Sequence, residues 1–141
     1  MVESSTAGPA QNDLKKSAQP LITVVIPAYN YAASLARAAQ SILGQRDGQT
    51  ELLIIDDGST DATPDVIKAL HMGYPEQFRS IRKDNGGLAS VRNLGIREAR
   101  GEWMVFLDAD DEFMPAALGK LVAHIHAHPH SRLVVGEHIS V

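Results

Sequence analysis

The chain has no cysteine, no excess of basic charge and no long apolar run, and each absence removes a class of function. Without cysteine there are no disulfides, no thiolate zinc sites and no cysteine nucleophile, so a metal, if used, sits on oxygen or histidine. With 13 basic and 17 acidic residues the formal net charge is -4, which offers no general attraction for nucleic acid or an anionic membrane. A polyanionic partner must therefore be small and held locally. No segment approaches the roughly 18 apolar residues of a membrane span, and the opening "MVESSTAGPAQNDLKKSAQP" lacks the apolar core of a signal peptide. These features predict a cytoplasmic chain in which residues 1–19 form a disordered polar leader. Internal repeats and low-complexity tracts are also missing.

What is present is enough apolar material, 44% of 141 residues, for one globular core. From Leu21 onward, short β-branched runs alternate with segments of helical period, which predicts an α/β domain with a mostly parallel sheet over residues 20–141. Strands are expected at Leu21–Pro27, Glu51–Asp57, Phe78–Arg82, Glu102–Asp108 and Arg132–Gly136. Helices are expected over about Ala32–Leu43, from Thr63, over about Leu88–Ala99 and from Pro115 to about Ala127. Gly44 is placed to cap the first helix, and Thr63 to act as N-cap of the second with Pro64 at its first position. Leu88, Val91 and Leu94 are expected to face inward.

Polar residues collect at the C-terminal ends of the predicted strands: Tyr29 and Asn30, then Asp56 and Asp57, then Asp108, Asp110 and Asp111. In an open α/β sheet that edge is where ligands bind, and a strand order of 3-2-1-4 would turn both acidic groups toward one crevice. "DDGSTD" reads either as a turn with a helix cap or as a carboxylate, Asp57, that accepts hydrogen bonds from a nucleoside ribose or base. "LDADD" has the D-x-D spacing that suits a hard divalent cation, but it also reads as an acidic turn in front of a helix. The expected division gives Asp108 and Asp110 to the crevice and Asp111 and Glu112 to the start of the helix near Pro115.

Taken together, "VVIPAYN", "IIDDGSTD", "NGGLASVRNLGI", "GEWMVFLDADD" and "MPAAL" resemble, in order and context, the family 2 glycosyltransferases of the GT-A fold. The resemblance covers roughly residues 20–140. It implies a Rossmann-like nucleotide-diphospho-sugar transferase fold in which helices flank the sheet. It also implies metal-dependent, inverting transfer of a sugar from a nucleotide-diphosphate sugar to a saccharide or lipid-linked acceptor hydroxyl, as in cell-surface polysaccharide biosynthesis. Carried over by position, Pro27, Ala28 and Tyr29 line the base pocket and Asp57 contacts the nucleoside. Asp108 approaches the ribose or sugar, and Asp110 holds Mg2+ or Mn2+. Asn85, Gly86 and Arg92 are further donor contacts, although Arg92 also reads as a solvated helix arginine. The family's carboxylate base lies in the second half of the fold. It is therefore expected beyond Val141, and the chain is expected to be truncated before the acceptor half. Neither Glu137 nor His138 has spacing that marks it as that base. Membrane association of a longer protein stays open.

Two other functions compete. A non-catalytic nucleotide-sugar-binding module would need only the donor half, and a phosphoacceptor receiver domain also gathers an acidic doublet and a later aspartate around Mg2+. Against the receiver, a complete strand-helix unit precedes the doublet and no lysine follows Lys120. Two further patterns are set aside. His124 and His128 share an i, i+4 face, yet they sit at a helix end with no acidic or thiolate partner nearby in sequence. The glycines of "NGGLASVRNLG" do not spell G-x-G-x-x-G and follow the third strand instead of the first.

Overall fold

The computed structural model describes residues 19–45 and 48–132. Strands β1 (Ile22–Ala28), β2 (Thr50–Asp56), β3 (Arg79–Arg82) and β4 (Trp103–Phe106) alternate with helices α1 (Leu35–Leu43), α2 (Thr63–Gly73), α3 (Leu88–Glu98) and α4 (Ala117–Ala127). The strands form one parallel sheet in the order β3-β2-β1-β4, an order that right-handed crossovers permit. The predicted leader, apart from Gln19, and the predicted strand Arg132–Gly136, apart from Arg132, lie outside the described residues. So do Glu137, His138 and Val141.

Both faces of the central strands are apolar because both are covered. Ile22, Val24 and Ile26 of β1 and Leu52 and Ile54 of β2 join residues of α1, α2 and α4, among them Leu35, Ile67 and Leu118, in one cluster. The alternate residues Val25, Leu53 and Ile55 meet Val91 of α3 on the opposite face. One glycine makes that second layer close: a Cβ at Gly95 would lie 3.1 Å from Cγ1 of Val25. Full burial of each such Leu, Ile or Val side chain is worth about 1.5–3 kcal/mol.

Several local expectations change. α1 begins at Leu35 instead of Ala32, because the N–H groups of Tyr31 and Ala32 are drawn into bonds with the loop after β2. Thr63 is the first helical residue of α2 and not its N-cap. Its N–H donates to Asp61 Oδ1 at 2.8 Å, so Asp61 does the capping from two residues upstream. Gly44 is the C-cap of α1, in the right-handed region. Leu88 opens α3 and is 49% exposed, which leaves Val91 and Gly95 as the buried residues of that helix. β4 stops at Phe106, opposite Val25, two residues short of the predicted end.

The sheet's two flanks differ. β3 carries Arg79, which pairs with Glu51 at 3.2 Å, and Arg82, which pairs with Asp56 at 2.6 Å. β4 is the uncharged run Trp103-Met104-Val105-Phe106, half-buried except for Phe106, which is exposed.

Candidate functional site

The loops after β1 and β2 are sewn into one platform. Asn30 is left-handed, with φ 59, a conformation asparagine tolerates better than most residues. This turns its amide toward the other loop, where Oδ1 accepts the N–H groups of Thr60 (2.8 Å) and Asp61 (3.2 Å). In return, the N–H of Asn30 donates to Ser59 Oγ and that of Tyr31 to Thr63 Oγ1, both at 3.0 Å. Bonds from Thr63 and from backbone N–H groups hold the Asp61 carboxyl below its usual range. Tyr29 stands on this platform and is 44% exposed. Pro27 is half-buried. The methyl of Ala28 belongs to the core and its carbonyl accepts the Asp57 N–H, so Ala28 offers no side chain to the crevice.

The acidic doublet is buried, and each member has its own cation. Register sets the first pair: Asp56 lies opposite Arg82 in the β2–β3 ladder, and Arg82 Nη1 reaches Asp56 Oδ2 at 2.6 Å. Asp56 Oδ1 accepts the Ser59 N–H at 2.9 Å. Asp57 Oδ1 accepts from Lys83 Nζ and from the Gly86 N–H, both at 2.9 Å. Its Oδ2 accepts the Gly87 N–H at 2.9 Å and, more weakly, Asn85 Nδ2 at 3.4 Å. Burial pushes the Asp57 carboxyl up, but Lys83 and the two glycine N–H groups outweigh it and hold the group below its ordinary value. Gly58, at φ 74, lets this loop close, since a Cβ there would lie 2.8 Å from the Asn85 nitrogen. Above the doublet opens a polar cavity of about 630 Å³ lined by Gly58, Arg82, Lys83, Asp84 and Asn85.

The third loop, after β4, is anchored by alternation. Leu107 and Ala109 are buried, while Asp108 and Asp110 are exposed between and after them. Ser34 Oγ donates to the Ala109 carbonyl at 2.8 Å, and the Phe113 N–H donates to Ser41 Oγ at 3.0 Å. Gln45 donates to the Met114 carbonyl and accepts the Leu118 N–H, so α1 carries the whole loop. Carboxylate oxygens of Asp108, Asp110 and Asp111 lie within 4.8 Å of one another. No lysine or arginine among the described residues pairs with them. Three converging hard oxygen donors, left without a protein cation, fit Mg2+ or Mn2+.

This corrects the expected division of "LDADD". Asp111 joins the triad and does not cap the next helix, because α4 begins only at Ala117. Its N-cap is Ala116, with no side-chain cap, and its first turn has no acidic residue, so Glu112 plays no part there either. Arg92 lies with its guanidinium 5.8 Å from the centre of the exposed Phe106 ring, at the end of β4 from which the acidic loop departs. The structure thus gathers the predicted site residues at the C-terminal ends of the strands. Lys83 is the one that sequence reasoning missed; its only signal was a basic residue directly after β3. The histidines form no metal group among the described residues: His124 and His128 stack at 4.2 Å, and His128 Nδ1 lies 3.0 Å from the His124 carbonyl.

Comparison with known proteins agrees with this geometry. The family described as Glycosyl transferase family 2 matches residues 23–138. An uncharacterized glycosyltransferase of Nostoc is 43% identical over 101 residues, which are 72% of this chain and 31% of that protein. A PGL/p-HBAD biosynthesis glycosyltransferase of Mycobacterium tuberculosis is 36% identical over 121 residues, 85% of this chain and 47% of that one. The chain therefore spans between about a third and a half of these two relatives. Among solved structures, S. aureus TarS in complex with UDP-GlcNAc superposes with a TM-score of 0.69 at 26% identity, covering 77% of this chain and 32% of that one. A mannosyltransferase from Pyrobaculum calidifontis in complex with GDP-Man and Mn2+ gives 0.67 at 26%, covering 76% and 32%. The parallel sheet, its flanking helices and these neighbours identify the GT-A glycosyltransferase fold, and the chain belongs to glycosyl transferase family 2.

Proposed function

We propose that the chain is the donor-binding part of a metal-dependent, inverting glycosyltransferase that uses a nucleotide-diphosphate sugar. The observation that carries this reading is the triad Asp108, Asp110 and Asp111, which has no lysine or arginine partner among the described residues and stands at the same sheet edge as the Tyr29–Asn30 platform and the Asp57 loop. Solved relatives of this fold are titled as complexes with UDP-GlcNAc, and with GDP-Man and Mn2+, which supports the donor class.

In this reading Asp110 is the principal metal ligand, with Asp108 and Asp111 completing the oxygen donors from the protein. The cation, when bound, neutralises the charge that builds on the nucleoside diphosphate leaving group. Tyr29 offers a ring face to the base, and Pro27 with the backbone of Ala28 forms the pocket wall. Asp57 takes a nucleoside N–H or hydroxyl, Asn85 and Gly86 supply polar atoms beside it, and Arg92 brings positive charge toward the phosphates. The acceptor is a saccharide or lipid-linked hydroxyl. No described residue is assigned as the base that deprotonates it, and in this reading that base belongs to the acceptor half, beyond Val141. No helix among the described residues is long and apolar enough to cross a membrane.

The test is calorimetric titration of UDP, GDP and dTDP, and of their sugars, with and without Mn2+. Metal-dependent binding to at least one is the expected result, and none binding would defeat the reading. The receiver alternative is tested separately by a small phosphodonor, since stable labelling of an aspartate would favour it.

A further inference from the structure

We propose that Lys83 is a specificity-determining residue of the donor site: its ammonium occupies the position on Asp57 that a nucleoside must take, and binding displaces it. This inference rests on the donor reading of Asp57 given above. An ionised carboxylate has about four lone-pair sites, and Asp57 already meets Lys83, Gly86, Gly87 and Asn85. A nucleoside N–H or ribose hydroxyl can bond Asp57 strongly only if one of these donors leaves.

Three of the four are fixed in the chain. The Gly86 and Gly87 N–H groups belong to the backbone that starts α3, where Gly87 is the N-cap at φ 89. Asn85 is held twice, since its Nδ2 also donates to the Asp57 carbonyl at 3.0 Å. Releasing either glycine N–H would undo the loop, and Asn85 stays beside Oδ2 because its bond to the carbonyl holds it there. Lys83 is different: its ammonium sits at the end of a flexible four-carbon stem, its side chain is 20% exposed, and it lines the polar cavity. Nζ has a second acceptor, the Asp84 carbonyl at 2.6 Å, so it need not lose all its bonds when it leaves Asp57. The absence of a side chain at Gly86 makes room for the ammonium on Asp57, because a Cβ there would lie 2.8 Å from Lys83 Nζ.

The consequence is a ligand filter. A molecule that enters must both donate hydrogen bonds, to replace the ammonium on Asp57, and tolerate a free ammonium in the same cavity. A nucleoside carrying anionic phosphates does both, whereas an inorganic phosphate or a free sugar does only one.

The experiment compares wild type, Lys83→Met, Lys83→Gln, Lys83→Arg and the charge control Arg97→Met, in the last turn of α3 at the opposite end of the sheet, by calorimetry with UDP and GDP plus Mn2+, alongside thermal melts. Lys83→Met should bind the nucleotide about five- to tenfold more tightly, the scale of one net hydrogen bond no longer displaced, while its melting temperature falls. Lys83→Gln should lie between it and wild type and serves if Lys83→Met does not fold. Lys83→Arg and Arg97→Met should bind no more tightly than wild type. A residue that merely braces the loop would lower affinity and stability together, so weaker or equal binding by Lys83→Met and Lys83→Gln overturns the proposal while leaving the donor reading intact. If wild type and all variants bind neither nucleotide, the donor reading fails and takes this inference with it.

Discussion

The two acidic groups at the top of the sheet carry the same charge at the same edge and are built in opposite ways. Asp56 and Asp57 are almost completely buried, and each has a cation from the end of β3, Arg82 or Lys83. Asp108 and Asp110 are exposed, Asp111 is half-buried, and none of the three has a lysine or arginine partner among the described residues. A buried carboxylate must be compensated by the protein or it will not stay ionised, whereas an exposed cluster can leave its compensation to a solvent cation. The first pair therefore belongs to the architecture as much as to any ligand, and the second group, in the function proposed above, serves a bound cation more than folding.

That contrast can be broken most directly at Asp57. Asp57→Ala strands Lys83 and the N–H groups of Gly86 and Gly87, and should cost about 3 kcal/mol of folding stability, read as a lowered urea midpoint. Next in size is the cation. At a hundred times its dissociation constant, Mn2+ should stabilise the wild-type chain by about 2.7 kcal/mol, and EDTA should reverse the accompanying rise in melting temperature.

Acid should then separate the groups. The Asp57 carboxyl titrates lower in the folded chain than its ordinary value of 3.8, so its stabilisation is complete above about that pH and is lost as pH falls through the folded value. Glu51 behaves alike at the other end of the sheet: burial raises its carboxyl, but Arg79, the Arg100 N–H and Thr23 outweigh that and leave it below 4.5. The two together predict a steep loss of stability below about pH 4, which Asp57→Asn should flatten in a pH series of melts. Smallest should be the effect of Asp110→Asn on folding without metal, within about 0.5 kcal/mol of wild type. The same variant should abolish the Mn2+-induced stabilisation. If Asp110→Asn destabilised the metal-free chain as much as Asp57→Ala does, the division between architectural and functional acids would be lost.

Much of this was legible in the sequence, for identifiable reasons. Continuous β-branched runs gave the two long central strands, whereas the 3-2-1-4 order was one arrangement that the crossover rule permits and the sequence alone does not impose. The crowding of aspartates after β2 and β4 located the site edge. What the residues did not reveal depends on register and on side-chain competition. That Asp56 meets Arg82 follows only once β2 and β3 are aligned. Asp111 could be given to the helix or to the triad until the turn between it and Ala117 was known. Leu88 fits the apolar period of α3 but stands at its first residue, where it is left half exposed.

The flank of β4 has a colloidal consequence. β3 carries two arginines at its end of the sheet, the kind of charge that discourages a stray strand from adding on. β4 presents Trp103 to Phe106 without a charge or a proline, and among the described residues it has one strand neighbour only. Wherever that edge is left uncovered at high concentration, another backbone can extend the ladder there, and solubility is then limited at this strand.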